Sequence, residues 1–122
     1  MILVDTSVWV DHLRVADRRL SQLLDGRQVL AHPWVLGEVL LGGLRAGSRV
    51  DHLMPRLPQA AVATSAEMVI LIAHERLAGT GIGYVDVQLL ASTMLTPNAL
   101  LWTRDQHLNR VAERLGVAHV GR

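Results

Sequence analysis

Short apolar runs alternate with stretches of helical character from one end of the chain to the other, and this alternation constrains the fold more than any other feature. Ile2-Leu3-Val4 ends at Asp5-Thr6-Ser7, a cluster of helix-capping residues. Val29-Leu30-Ala31, Ala60 to Ala63, Ala99 to Thr103 and Val117 to Val120 are further runs of strand length, the second of them weak. Helices are expected over Val8 to Arg14, Arg18 to Leu24, Pro33 to Leu44, Ser65 to Gly79, Tyr84 to Thr96 and Asp105 to Leu115, with a helical turn or two over Ser48 to Met54. Pro33 suits a first helical turn, while Asp25-Gly26, Pro55, Pro58, Pro97-Asn98 and Gly116 are stops. Strands without a polar face, separated by helices, need cover on both sides of a parallel sheet. The expected fold is α/β, three layers α/β/α around a parallel sheet of four to five strands, as one domain over residues 1–122.

Half of the 122 residues are apolar and the formal net charge is +1, a composition that collapses into a core rather than staying disordered. The longest apolar run, Met68 to Ala73, is far too short for a membrane span. Asp5 and Asp11 interrupt the apolar opening, unlike a secretory leader, so the cytoplasm is the expected location. There is no cysteine, which excludes disulfides, thiolate zinc sites and a cysteine nucleophile. All 12 basic residues are arginine, so Schiff-base chemistry and a phosphate-loop lysine are excluded as well. A chain this near neutrality can meet a polyanion only through a local patch.

The eleven acids divide by context. Asp11, Asp17, Asp25, Asp51, Glu75 and Glu113 each have an arginine within three residues, and Glu67 lies in a first helical turn where an anion is favoured. Asp5, Glu38, Asp86 and Asp105 instead lie against apolar runs. A buried carboxylate needs hydrogen bonds, an arginine, a raised pKa or a cation. In a parallel sheet Asp5 and Asp105 both emerge at the carboxyl edge, where such folds bind ligands. Asp86, at the start of the helix leading into the Asp105 strand, and Glu38, a turn and a half into its own helix, can reach the same edge. An all-oxygen cluster suits Mg²⁺ or Mn²⁺ and hydrolysis at phosphorus. The competing account satisfies all four acids with helix caps and arginine pairs.

Ile2-Leu3-Val4-Asp5-Thr6-Ser7-Val8-Trp9 resembles the opening of PIN-domain ribonucleases, in particular VapC-type toxins of bacterial toxin–antitoxin pairs. The similarity continues through Glu38, then Ile82 to Ser92 around Asp86, then Leu101-Trp102-Thr103-Arg104-Asp105-Gln106-His107-Leu108, and so spans the chain. The resemblance implies a divalent-ion-dependent endoribonuclease acting on RNA, such as tRNA or rRNA. In it Asp5, Asp86 and Asp105 match metal-binding acids, and Glu38 matches the acid that positions or deprotonates water. Thr6 and Thr103 match hydroxyls that orient the carboxylates. Leu108 stands where the family often has an aromatic. The resemblance also implies a homodimer and a cognate antitoxin, for which Trp9, Val10, Leu13 and Trp34 are candidates to line a groove.

Gly79-Thr80-Gly81-Ile82-Gly83 follows a helix rather than a strand, so it reads as a helix–helix connection beside the site rather than a phosphate loop. Arg104 and His107 flank Asp105 and are the candidate RNA contacts, with Arg18 and Arg19 as weaker ones. Two other functions fit an acidic cluster. One is a receiver-type phospho-acceptor, which the absence of lysine disfavours; the other is a catalytically silent domain that binds RNA or a partner.

Overall fold

The computed structural model describes residues 1–43 and 49–120. Its elements run β1 (Ile2–Val4), α1 (Thr6–Arg14), α2 (Arg18–Asp25), β2 (Val29–Leu30), α3 (Pro33–Leu41), α4 (Val50–Leu53), a 3₁₀ turn (Met54–Arg56), α5 (Ser65–His74), α6 (Tyr84–Leu95), β3 (Leu100–Trp102) and α7 (Gln106–Arg114). Their order bears out the α/β reading. The sheet is parallel, ordered β2-β1-β3, with Ile2 opposite both Val29 and Leu100 and Val4 opposite Trp102. The Asp5 N–H adds one more rung, donating to the Trp102 carbonyl at 2.9 Å. That rung sets Asp5 beside Thr103, so the central strand delivers its acid to the carboxyl edge.

The two outer strands of the expected four to five shrink to single bridges. Ala31 pairs with Gln59, not with the run from Ala60 to Ala63, and Leu101 pairs with Ala118. Four residues rich in alanine offer little side-chain surface to extend a ladder. Helix α5 stops at His74 rather than Gly79, because Arg76 takes a left-handed backbone (φ 53°) and Leu77 turns back to donate to the Ile72 carbonyl at 3.0 Å. Helix α3 ends at Leu41, with Gly42 as its cap and Gly43 left-handed; the expected end at Leu44, and the start at Ser48 of the next helical segment, lie outside the described residues. Among the described residues, no helix is long and apolar enough to cross a membrane.

Leu3, Val8, Trp9, Leu20, Leu89, Leu90, Leu101 and Leu108 are buried in one continuous core around the sheet. Trp9 is fully buried, which removes it from any surface groove, whereas Val10 is exposed and Leu13 and Trp34 are half-buried. One polar knot lies inside the apolar mass. Gln88 is fully buried, its Oε1 accepting from the Ala63 N–H (2.8 Å) and Ser92 Oγ (2.7 Å) and its Nε2 donating to the Ala63 carbonyl (3.0 Å). His32 caps α3 by accepting the Trp34 N–H on Nδ1 (3.0 Å), and its Nε2 reaches Ser92 Oγ at 2.9 Å. The proton therefore belongs on Nε2, and a second proton on Nδ1 would oppose the capping bond.

Burial lowers the pKa of His32. A depressed histidine lends its full stability above the ordinary value of 6.5 and loses it as pH falls through that value. Urea midpoints are expected to drop as pH is lowered from neutrality, with a shallower drop in His32→Asn, which keeps a capping acceptor but cannot titrate. Equal pH slopes for the two proteins would remove His32 as a source.

Candidate active site

Three of the four candidate acids begin helices. Asp5 caps α1, with Oδ1 accepting the Thr6 N–H at 2.7 Å. Asp86 lies in the first turn of α6, and its Oδ2 accepts the Gly83 N–H at 2.9 Å. Asp105 caps α7, with Oδ1 accepting the Leu108 N–H at 2.9 Å. Each carboxylate sits where unsatisfied backbone N–H groups and the helix dipole favour negative charge. Helix capping, half of the competing account, is thus present. The other half is not: among the described residues no arginine forms an ion pair with Asp5, Glu38, Asp86 or Asp105.

Hydroxyl groups hold the centre. Asp5 is buried at 6 % exposure, and its Oδ2 accepts from Thr103 Oγ1 (2.6 Å) and Ser7 Oγ (2.9 Å). Thr103 Oγ1 in turn accepts the Asp105 N–H at 3.0 Å, so one hydroxyl joins two acids. Thr6 Oγ1 donates to Glu38 Oε1 at 2.8 Å, linking the start of α1 to the middle of α3. Glu38 and Asp105 are exposed, contrary to the expectation that all four acids lie in apolar surroundings. Ser7 was not singled out from sequence as a site residue; the signal available was a second hydroxyl two residues after the strand-ending acid.

The electrostatics record the proximity of all four. Burial raises the Asp86 pKa, the Gly83 N–H partly offsets the rise, and the charges of Asp5, Asp105 and Glu38 add to it. Among the described residues, Glu38 Oε2, Asp86 Oδ1 and Asp105 Oδ2 accept no protein hydrogen bond. The donor set is oxygen only and carries charge that no arginine among the described residues neutralises, which fits a hard divalent ion. The described residues do not yet place three His, Asp or Glu side chains around one ligation point. Glu38 and Asp105 are exposed, and each leaves one carboxylate oxygen without a protein donor among the described residues.

The two candidate RNA contacts fare differently. Arg104 donates to Asp11 Oδ2 (2.6 Å) and Asp17 Oδ2 (2.5 Å), so its guanidinium is already committed. The nearby arginines in sequence do not take those two acids; the distant Arg104 does. His107 remains exposed, its Nδ1 lying 4.0 Å from Asp105 Oδ1. Its ring packs under the loop before α6, where a Cβ on Gly81 would lie 2.8 Å from His107 Cδ2. Gly81 also has φ +85°, a left-handed backbone. Gly81→Ala is expected to cost about 1–2 kcal/mol from the backbone alone and to displace the His107 ring. Thermal melting and the His107 imidazole NMR shifts check it, and an unchanged ring would mean that the loop itself moves. Beside Asp105 a cleft of about 510 Å³ opens, bounded by Trp102, Thr103, Gln106, Asn109 and His119 among others.

One acid ends the central strand of a parallel sheet, and three further acids reach the same edge from α3, α6 and the start of α7. The PIN domain family matches residues 2–114. Ribonuclease VapC32 from two strains of Mycobacterium tuberculosis, CDC 1551 and H37Rv, is 45 % identical to this chain over 118 residues, covering 97 % of this chain and 95 % of the relative. The chain belongs to the PIN-domain family, in its VapC-type branch.

Proposed function

We propose that this protein is a metal-dependent endoribonuclease, the toxin of a toxin–antitoxin pair, which hydrolyses RNA phosphodiester bonds at the four-acid edge. The observation that carries the reading is the meeting of Asp5, Glu38, Asp86 and Asp105 at one sheet edge, close enough for the other three to act on the Asp86 carboxyl, with none of the four paired to an arginine among the described residues. Asp5, Asp86 and Asp105 are the residues that would hold the ion, Mg²⁺ or Mn²⁺. Such an ion neutralises charge on the scissile phosphate and makes bound water a better nucleophile. Glu38, steadied at Oε1 by Thr6, keeps Oε2 to take the proton of the attacking water. The water oxygen bonds to phosphorus, the bond to the ribose oxygen breaks, and that oxygen is protonated from solvent. Thr6, Ser7 and Thr103 orient the acids.

The partners belong to the same reading: an RNA such as tRNA or rRNA, a second copy forming a homodimer, a cognate antitoxin, and a cytoplasmic setting. Val10, Leu40 and Leu41, exposed on the packed pair α1 and α3, are apolar side chains that an antitoxin helix would cover. The test is cleavage of structured RNA by the purified protein. Turnover with Mg²⁺ or Mn²⁺ that stops on adding EDTA is expected. Cleavage that persists in EDTA would overturn the metal role, and RNA bound but uncut under every divalent ion would make this a silent binding domain.

A further inference from the structure

Arg104 is fastened on three sides. Nη1 donates to Asp11 Oδ2 on α1, Nη2 donates to Asp17 Oδ2 at the cap of α2, and the guanidinium lies 5.7 Å from the centre of the Trp102 ring. One side chain from the turn between β3 and α7 therefore ties that turn to two helices. The backbone of the same residue faces the acids. Its N–H donates to Ser7 Oγ at 3.0 Å, and Ser7 Oγ donates to Asp5 Oδ2 at 2.9 Å. On either side of Arg104, Thr103 donates to Asp5 and Asp105 donates its N–H to Thr103. The three residues 103, 104 and 105 thus make a bracket: the outward side chain is clamped to α1 and α2, while the inward groups set the positions of Asp5 and Asp105.

We propose that Arg104 is a positioning residue for the acidic centre, fixing the turn over 103–105 against α1 so that Asp5 and Asp105 keep their separation. The inference rests on reading that centre as a divalent-ion site. It replaces the sequence-based expectation that Arg104 grips RNA phosphate, since both terminal nitrogens are engaged by carboxylates. Exposed ion pairs add little to stability one by one. The expected effect of breaking this one is on the geometry of the site, where supporting contacts are typically worth about 10–100-fold in metal affinity or activity.

The experiment uses Arg104→Gln, Arg104→Lys, Asp11→Asn and Asp17→Asn in the full chain. Asn at 17 preserves an acceptor for the Leu20 N–H that caps α2, so the two acid variants keep the test alive if Arg104→Gln does not fold. Mn²⁺ binding to the metal-free protein without RNA is measured first. A loss of about 10–100-fold in Arg104→Gln, smaller losses in the two Asn variants, and partial recovery in Arg104→Lys are expected. Asp11→Asn combined with Arg104→Gln should bind Mn²⁺ no more weakly than Arg104→Gln alone. With RNA, kcat should fall while KM stays within about threefold. A raised KM with unchanged kcat, and a salt dependence of binding shallower by about one charge, would make Arg104 a phosphate contact and overturn the proposal. Unchanged Mn²⁺ affinity in folded Arg104→Gln would overturn it too. Wild-type protein that binds Mn²⁺ but cuts no RNA removes the nuclease reading and leaves the Mn²⁺ comparison to decide Arg104; wild-type protein that binds no Mn²⁺ removes both.

Discussion

Asp86→Asn is expected to raise the melting temperature of the metal-free protein by about 3–5 °C while lowering RNA cleavage about a thousandfold. The two effects have one origin. The ionised carboxyl is partly buried beside three others, so its pKa lies above the ordinary 3.8. A carboxyl raised in this way favours the native state while protonated, and the contribution is full below 3.8. It disappears as pH climbs through the raised value, leaving a charge that costs stability near neutrality. Asn removes the charge yet still offers an oxygen to the Gly83 N–H, so relief of about 1 kcal/mol is reasonable for one site. On the proposed reading, the same neutral side chain would no longer help to hold an ion. Metal-assisted hydrolysis draws several kcal/mol from charge compensation, and about 4 kcal/mol corresponds to a thousandfold rate. Melting in EDTA from about pH 4 to neutrality checks the first half: the two curves should converge in acid and separate above it. Identical melting near neutrality, or cleavage within about tenfold of wild type, would contradict the account.

Gln88→Leu is expected to cost about 3–5 kcal/mol, the largest stability loss foreseen for a single change of similar volume outside the acidic edge. The side chain is fully buried and serves the Ala63 N–H and carbonyl together, and it also accepts from Ser92. Leucine fills the space but leaves both backbone groups of Ala63 without partners, at about 1–3 kcal/mol each. Against a stability of about 5–15 kcal/mol for a small domain, the melting point should fall by about 10–15 °C. Amide exchange at Ala63 should accelerate beyond the change in global stability. A loss under about 1 kcal/mol would mean that water or a backbone shift satisfies Ala63 instead.

What could be read from the residues was whatever has a local cause. Ile2-Leu3-Val4 followed by Asp5-Thr6-Ser7 describes a buried strand running into a capped helix, and that is what forms. The parallel direction of the strands followed from the alternation of runs. Pairings across the chain were a different matter. Asp11 and Asp17 looked provided for by the arginines beside them, yet their partner is Arg104, 93 and 87 residues away. Nothing near Gln88 announces that its amide will close on Ala63, because the loop that brings Ala63 there is irregular. Trp9 and Trp34 were both candidates to line a groove, and only the packing around the sheet separates the buried one from the half-buried one. The fourth and fifth strands were legible as apolar runs, but how far each would pair depends on neighbouring edges that no short segment encodes.

Because Asp5, Asp86 and Asp105 each spend one oxygen on starting a helix, each acid is held in place by the formation of its own helix. Lengthening any of the three to glutamate would move the oxygen away from its own helix start as well as from the edge. An engineer wishing to transplant this chemistry to another scaffold would therefore have to import three helix beginnings with their backbone angles, not a trio of side chains.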